Sequence, residues 1–180
     1  MKFFKSWCAA LMLTCSGAAL SSPVQVQEFY APSIGDFFLT SSFAESDALN
    51  SGAYGDWGAI ETFAGFDSPV NAGYDGEATP VCRIYTGGAH FFSASPSECA
   101  DVYASNPDFV LENWAAFYIY LPDAAGQCSF GETPVFRLWD GISYSRFYTT
   151  RLYERDYLLA NGWVSEGYGA DGVAMCSPGL

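Results

Sequence analysis

The sequence predicts a mainly β, α+β domain in which one unit of about fifty residues, ordered strand, strand, short helix, strand, occurs three times with pseudo-threefold order. Three observations lead there. β-prone dipeptides recur at Phe29-Tyr30, Ile84-Tyr85 and Leu138-Trp139, spaced by 55 and 54 residues. Each is followed by an aromatic pair, Phe37-Phe38, Phe91-Phe92 and Phe147-Tyr148. Then come a glutamate, Glu45, Glu98 or Glu154, and a further aromatic, Trp57, Phe109 or Trp163. The repeats span about residues 24–78, 79–130 and 131–180 of one domain covering 23–180. One small sheet cannot bury both faces, so the three must share an aromatic core. A β-trefoil-like closure fits this order, which leaves the strand order open.

Residues 1–22 read as a secretory signal: Lys2 and Lys5 charge the start, residues 6–20 are apolar or small, and small residues precede Pro23. The apolar run is too short to span a bilayer. Lipoprotein processing would need a small residue before the acylated cysteine, and Cys15 follows Thr14. The mature chain is therefore expected to be secreted, extracellular or periplasmic, with no membrane insertion. Loss of the two lysines takes the formal charge from −13 to about −15 and leaves five arginines as its basic residues. Such a surface repels polyanions, which excludes nucleic acid, and resists self-association, so a monomer is expected.

Within a unit, Val135-Phe136-Arg137-Leu138-Trp139 has the β-branched and aromatic content of a first strand, and Arg146-Phe147-Tyr148-Thr149 that of its hairpin partner across Asp140-Gly141. Ser42 precedes Glu45, and Ser95 precedes Glu98, by the three residues of a capping box. Pro96 falls at the first helical position. In the third unit Arg151 stands at the cap position, with Thr150 an alternative cap one residue earlier. Helices should end near Gly52, Asn106-Pro107 and Gly162, and a last strand should run through residues 163–167 and their equivalents. Residues 67–79, rich in Gly, Asp and Ala, should form a surface loop.

Cys8 and Cys15 lie in the signal, leaving Cys82, Cys99, Cys128 and Cys176 for two disulfides, with three connectivities to choose from. Cys82 on a first strand and Cys99 at the start of the same unit's helix favour Cys82–Cys99. Cys128 and Cys176, which flank the third unit, then pair with each other.

Pro80-Val81-Cys82-Arg83-Ile84-Tyr85, His90-Phe91-Phe92 and Ser97-Glu98-Cys99 resemble a bacterial repeat-domain family of unknown function, with consensus P-V-C-R-F-Y, then S-H-F-Y-T, then A-E-C. Thr133-Pro134-Val135-Phe136-Arg137-Leu138-Trp139, residues 162–169 and Ala174-Met175-Cys176 resemble its closing unit, and Glu28-Phe29-Tyr30 with residues 36–40 its opening. Such domains stand alone or are appended to secreted peptidases and other hydrolases, so the resemblance implies an accessory role. Where the family carries His, this chain has Asp36 and Arg146 and keeps His90.

Catalysis has little to draw on. His90 is the single imidazole, no Gly-x-Ser-x-Gly elbow occurs, and no Cys-x-x-Cys or calcium-loop spacing appears, so neither metal nor cofactor is expected. The repeated glutamates have structural readings: Glu45, Glu98 and Glu154 as helix caps, Glu112 and Glu166 as ties from the last strand to a neighbouring unit through Arg83 or Arg137. A surplus of aromatics near turns, Tyr54, Trp57, Tyr74, Trp114, Tyr144, Tyr153 and Tyr168, suits sugar stacking. The expectation is a non-catalytic binding or accessory module for a cell-surface glycan or an extracellular protein, with Trp57, Trp163 and His90 as candidate ligand contacts. A small hydrolase using an acidic pair is the alternative, and it would require mutually close carboxylates in a deep pocket.

Overall fold

The computed structural model describes residues 22–69, 71–72 and 76–179. The expected signal, apart from Ser22, lies outside them, as does Tyr74. The first unit comprises β1 (Val24–Ala31), β2 (Asp36–Thr40), α1 (Phe43–Asn50) and β3 (Gly58–Gly65). A two-residue ladder follows, β4 (Asn71–Ala72) with β5 (Gly76–Glu77), inside the stretch expected to be loop. The second unit is β6 (Thr79–Tyr85), β7 (His90–Ser93), α2 (Pro96–Ser105) and β8 (Val110–Ile119). The third is β9 (Thr133–Trp139), β10 (Arg146–Thr149), α3 (Leu152–Ala160), β11 (Val164–Ser165) and β12 (Val173–Ser177).

Each unit makes a small antiparallel sheet with its first strand in the middle: β2-β1-β3, β7-β6-β8 and β10-β9-β11, with β12 also on β9. The third unit's last strand is thus split, β11 and β12 sharing one flank of β9 on either side of residues 166–172. That detour passes close to residues 125–126, where a side chain at Gly169 (φ 65°) would collide with the Ala125 carbonyl. The described strands form separate small sheets and no closed barrel.

The sheets share a core. Val26, Phe29 and Leu39 from the first pack with Val81, Phe92 and Phe117 from the second and Val135, Tyr148 and Met175 from the third. Each such side chain contributes about 1.5–3 kcal/mol of hydrophobic burial. Strands β2, β7 and β10 contact one another pairwise, as do β3, β8 and β12. Backbone bridges Phe66–Tyr118 and Tyr120–Cys176 connect the last strands, and the Ser177 hydroxyl donates to the Ala64 carbonyl and accepts from its N–H. At the centre the buried Tyr148 hydroxyl donates to the Phe92 carbonyl (2.8 Å) and accepts from the Phe92 N–H (3.1 Å). Tyr148→Phe leaves the Phe92 N–H unsatisfied and its carbonyl with the Arg137 contact alone, so it is expected to lower unfolding free energy by about 1–3 kcal/mol, read from urea denaturation.

Helix starts follow the expectation in part. Ser42 and Ser95 accept hydrogen bonds from the N–H groups of Glu45 and Glu98. The reciprocal half of the box is diverted: the Ser42 and Ser95 N–H groups go to Thr40 and Ser93 hydroxyls, while the glutamates accept from those same hydroxyls and from arginines. In the third unit Arg151 is the N-cap residue and makes no side-chain cap bond, a guanidinium having no acceptor, and the Thr150 hydroxyl donates to Glu61 rather than capping the helix. The cysteines stand in the expected pairs, Cys82–Cys99 and Cys128–Cys176, separated by 17 and 48 residues. The chain-entropy account gives roughly 3 and 4 kcal/mol for loops of these lengths.

Candidate functional site

The junctions between units are built from repeated positions. Arg83, on β6, reaches back to the preceding unit's helix, its Nη1 3.1 Å from Glu45 Oε1, and its Nε lies 3.0 Å from Glu112 Oε2 on its own last strand. Arg137, on β9, repeats this with Glu98 (2.6 Å) and Glu166 (3.1 Å). Glu45 and Glu98 therefore tie neighbouring units together, whereas Glu112 and Glu166 tie strands within one unit, the reverse of the assignment expected from sequence. Burial pushes the Glu98 pKa up, but the Arg137 hydrogen bonds and charge prevail and hold it below the ordinary range.

The third junction reverses the charges. Glu28 faces Leu39 across β1 and β2 as Arg83 faces Phe92 and Arg137 faces Tyr148. The cation comes instead from Arg151, 2.6 Å from Glu154 Oε1 and 3.9 Å from Glu61 Oε2. Glu28 is fully buried, its Oε1 accepting the Tyr148 N–H at 2.9 Å. Burial, with Glu61 and Glu154 adding repulsion, pushes its carboxyl well above the ordinary glutamate range. The Oε2 atoms of Glu28 and Glu61 are buried without a hydrogen-bond partner.

A groove lies at each junction. Phe38, Phe91 and Phe147, on the second strands, form one wall, and Leu49, Val102 and Leu158, each seven residues after its N-cap, form another. The next unit supplies the facing group. His90 meets Phe38 edge-on at 4.8 Å, Arg146 lies 5.7 Å over Phe91, and Phe37 is 5.3 Å from Phe147. His90, Arg146 and Phe37 also sit opposite Tyr85, Trp139 and Tyr30 in their hairpins. Phe37, not Asp36, is thus the first unit's counterpart of His90, and the first aromatic pair is displaced by one residue from the other two.

The first groove has the richest chemistry. It is a cleft of about 330 Å³ in which Trp57, Tyr54 and Phe38 face Arg83, His90 and Glu112, with Glu45 at the helix end. Trp57 is half-buried, its ring 5.9 Å from Phe38, and Tyr54 is 72% exposed. His90 is oriented by Asp36: the ring Nδ1 donates to Asp36 Oδ2 at 2.6 Å, and the His90 N–H donates to Asp36 Oδ1 at 2.9 Å. Asp36 is buried and also accepts from the Ser145 hydroxyl, so all three units meet at its side chain. His90 Nε2 is left 3.5 Å from Glu112 Oε2.

Of the sequence candidates, Trp57 and His90 share this cleft. Trp163 is placed elsewhere, packed with Phe147 and Leu158 against the second core cluster. Sequence reasoning missed Asp36 as the partner of His90. Its only signal was an acidic residue at a strand start, and the contact spans 54 residues. Among the described residues, the one group with metal-ligand proximity is Cys128, Glu132 and Cys176, whose two sulfurs are joined in the disulfide.

A family model described as a domain of unknown function, DUF5648, matches residues 25–173. The chain belongs to this family. In this DUF5648 domain the match begins within β1 and ends at the first residue of β12, so it takes in all three junctions and their grooves. Comparison with curated proteins and with solved structures finds no match. Among the described residues, no helix is long and apolar enough to cross a membrane.

Proposed function

We propose that this DUF5648 domain is a secreted, non-catalytic binding module of pseudo-threefold repeats that holds a sugar ring of a cell-surface glycan in the Trp57 cleft. The observation that carries the reading is the pairing, in one open cleft, of the Trp57 ring with the fixed polar groups of His90, Glu112 and Arg83. A ring face stacks on the apolar side of a sugar while oriented polar groups bond its hydroxyls. Recurrence of the groove at each junction, with a different facing residue each time, suits a module whose repeats have diverged in what they contact.

The hydrolase reading has one observation in its favour, an imidazole oriented by a buried carboxylate, as in catalytic dyads. Against it, the cleft lining includes no Ser, Thr or Cys, and its two carboxylates are held by one guanidinium, Arg83.

Trp57→Ala should abolish capture of the exported protein on a glycan array while the thermal melt stays cooperative at a lowered midpoint, since the ring also packs on the edge of the first core cluster. Trp163→Ala should lower the melting temperature and spare binding, because its ring lies outside this cleft and packs against the second core cluster. Retained binding by the folded Trp57 variant would reject the assignment.

A further inference from the structure

Resting on the reading of the Trp57 cleft as a glycan site, we infer that it selects a sugar carrying a free ammonium group, a 2-amino-2-deoxyhexose unit, over neutral, N-acetylated or carboxylated sugars. Glu45 and Glu112 line this cleft with Arg83, and the buried Asp36 stands behind His90. Even with His90 counted as a cation, carboxylates outnumber positive groups. The second groove is balanced by comparison, Arg137 and Arg146 standing against Glu98 and Glu166.

Arg83 is already committed to two carboxylates. Its Nη1 is held by Glu45, its Nε is paired with Glu112, and the guanidinium lies 4.8 Å over the Phe38 ring. A uronic acid would meet Glu45 and Glu112 as like charges beside that guanidinium. Glu112 makes its contacts through Oε2, and its side chain is 32% exposed, which leaves Oε1 to accept from a ligand N–H. Beside it Trp57 and Tyr54 offer ring faces, and a cation over an indole or phenol face is attracted by the ring quadrupole. An ammonium on a pyranose can reach carboxylate and ring together. Acetylation removes its charge and adds bulk. The chain's net charge of −13 further favours a cationic ligand during encounter.

Titration of the mature protein with β-1,4-linked glucosamine tetramer, its N-acetylated form, cellotetraose and a tetrauronate, followed by tryptophan fluorescence and calorimetry, tests the inference. The amino tetramer should bind at least about tenfold more tightly than the other three. The advantage should shrink as salt rises. Glu112→Gln should remove most of that advantage while the melt stays cooperative at a lowered midpoint, the Arg83 pair being weakened, and Trp57→Ala should remove binding. Equal or tighter binding of the acetylated, neutral or acidic tetramer would overturn the amino-sugar inference and leave the glycan reading standing. Binding of none would overturn both. Oligolysine of matched charge, bound equally well and indifferent to Trp57→Ala, would mark the attraction as nonspecific and also overturn the inference.

Discussion

Arg137→Met is expected to lower unfolding free energy by about 3 kcal/mol, enough to remove much of a small domain's margin. Arg137 is 5% exposed, donates to both oxygens of Glu98 and to the Phe92 carbonyl, and pairs through Nε with Glu166. Its charge is strongly retained, because the Glu98 hydrogen bonds outweigh the burial that disfavours it. Methionine fills the volume of the side-chain stem but leaves two carboxylates facing each other with only Arg146 near them. Because Glu98 is about a third exposed, water relieves part of the penalty, which places the effect at the low end for a broken buried pair. Adding Glu98→Gln should recover part of the loss, and that recovery in a double-mutant cycle measures the coupling between the second and third units. Additive losses would show that the pair does not act across the junction.

Glu28→Gln should act in the other direction, raising stability at neutral pH. The Glu28 carboxyl has its pKa raised in the folded state, so the folded chain holds a proton that the unfolded chain has released. Between the ordinary glutamate value and the raised one, wild-type stability falls as pH rises, by about 1.4 kcal/mol per pH unit for one proton. Below that window both states are protonated and the contribution is full. Glu98 has the opposite sign: its depressed pKa gives stability that is present above the ordinary value and lost as pH falls. Wild-type stability should therefore peak in mildly acidic solution. Glutamine keeps the shape, accepts the Tyr148 N–H through its oxygen and offers an N–H₂ toward its cross-strand neighbour Glu61, whose Oε2 lacks a hydrogen bond. Urea denaturation from pH 4.5 to 8 should show the variant losing the alkaline decline. Parallel pH profiles for the two proteins would place the titrating proton on another group.

The swap at this junction explains why some expectations failed. In the second and third units a strand arginine meets a helix glutamate, and the cap positions hold serine in the first two helices. With Glu28 in the arginine's place, the helix that faces it carries Arg151 at its cap, so the missing capping serine compensates a charge more than a hundred residues away. Read locally, Arg151 is a departure from the helix pattern. Read across the junction, it is the counter-charge for Glu28, Glu61 and Glu154.

What the sequence by itself determined about this protein is whatever depends on neighbours along the chain. The recurrence of strand, strand, helix and strand, the Ser42 and Ser95 caps, Pro96 at the helix start and the Cys82–Cys99 pair all follow from local hydrogen bonding, periodicity and short loop closure. Trp57 and His90 were legible as candidates for the same reason, each standing out within its own unit. The tertiary structure alone decided which groups meet across units. Asp36 and His90 share a hydrogen bond over 54 residues, Glu45 reaches Arg83 in the next unit, and the third unit splits its last strand into β11 and β12. It also decided that Trp57 lines a polar cleft beside the first core cluster while Trp163 packs against the second. The two rings follow α1 and α3 at corresponding points, and the residue that faces each groove comes from another unit, His90 against Phe38 and Phe37 against Phe147. Local patterning encodes each sheet and helix, whereas the chemistry at each junction depends on which side chains the packing of two units brings within a few ångströms.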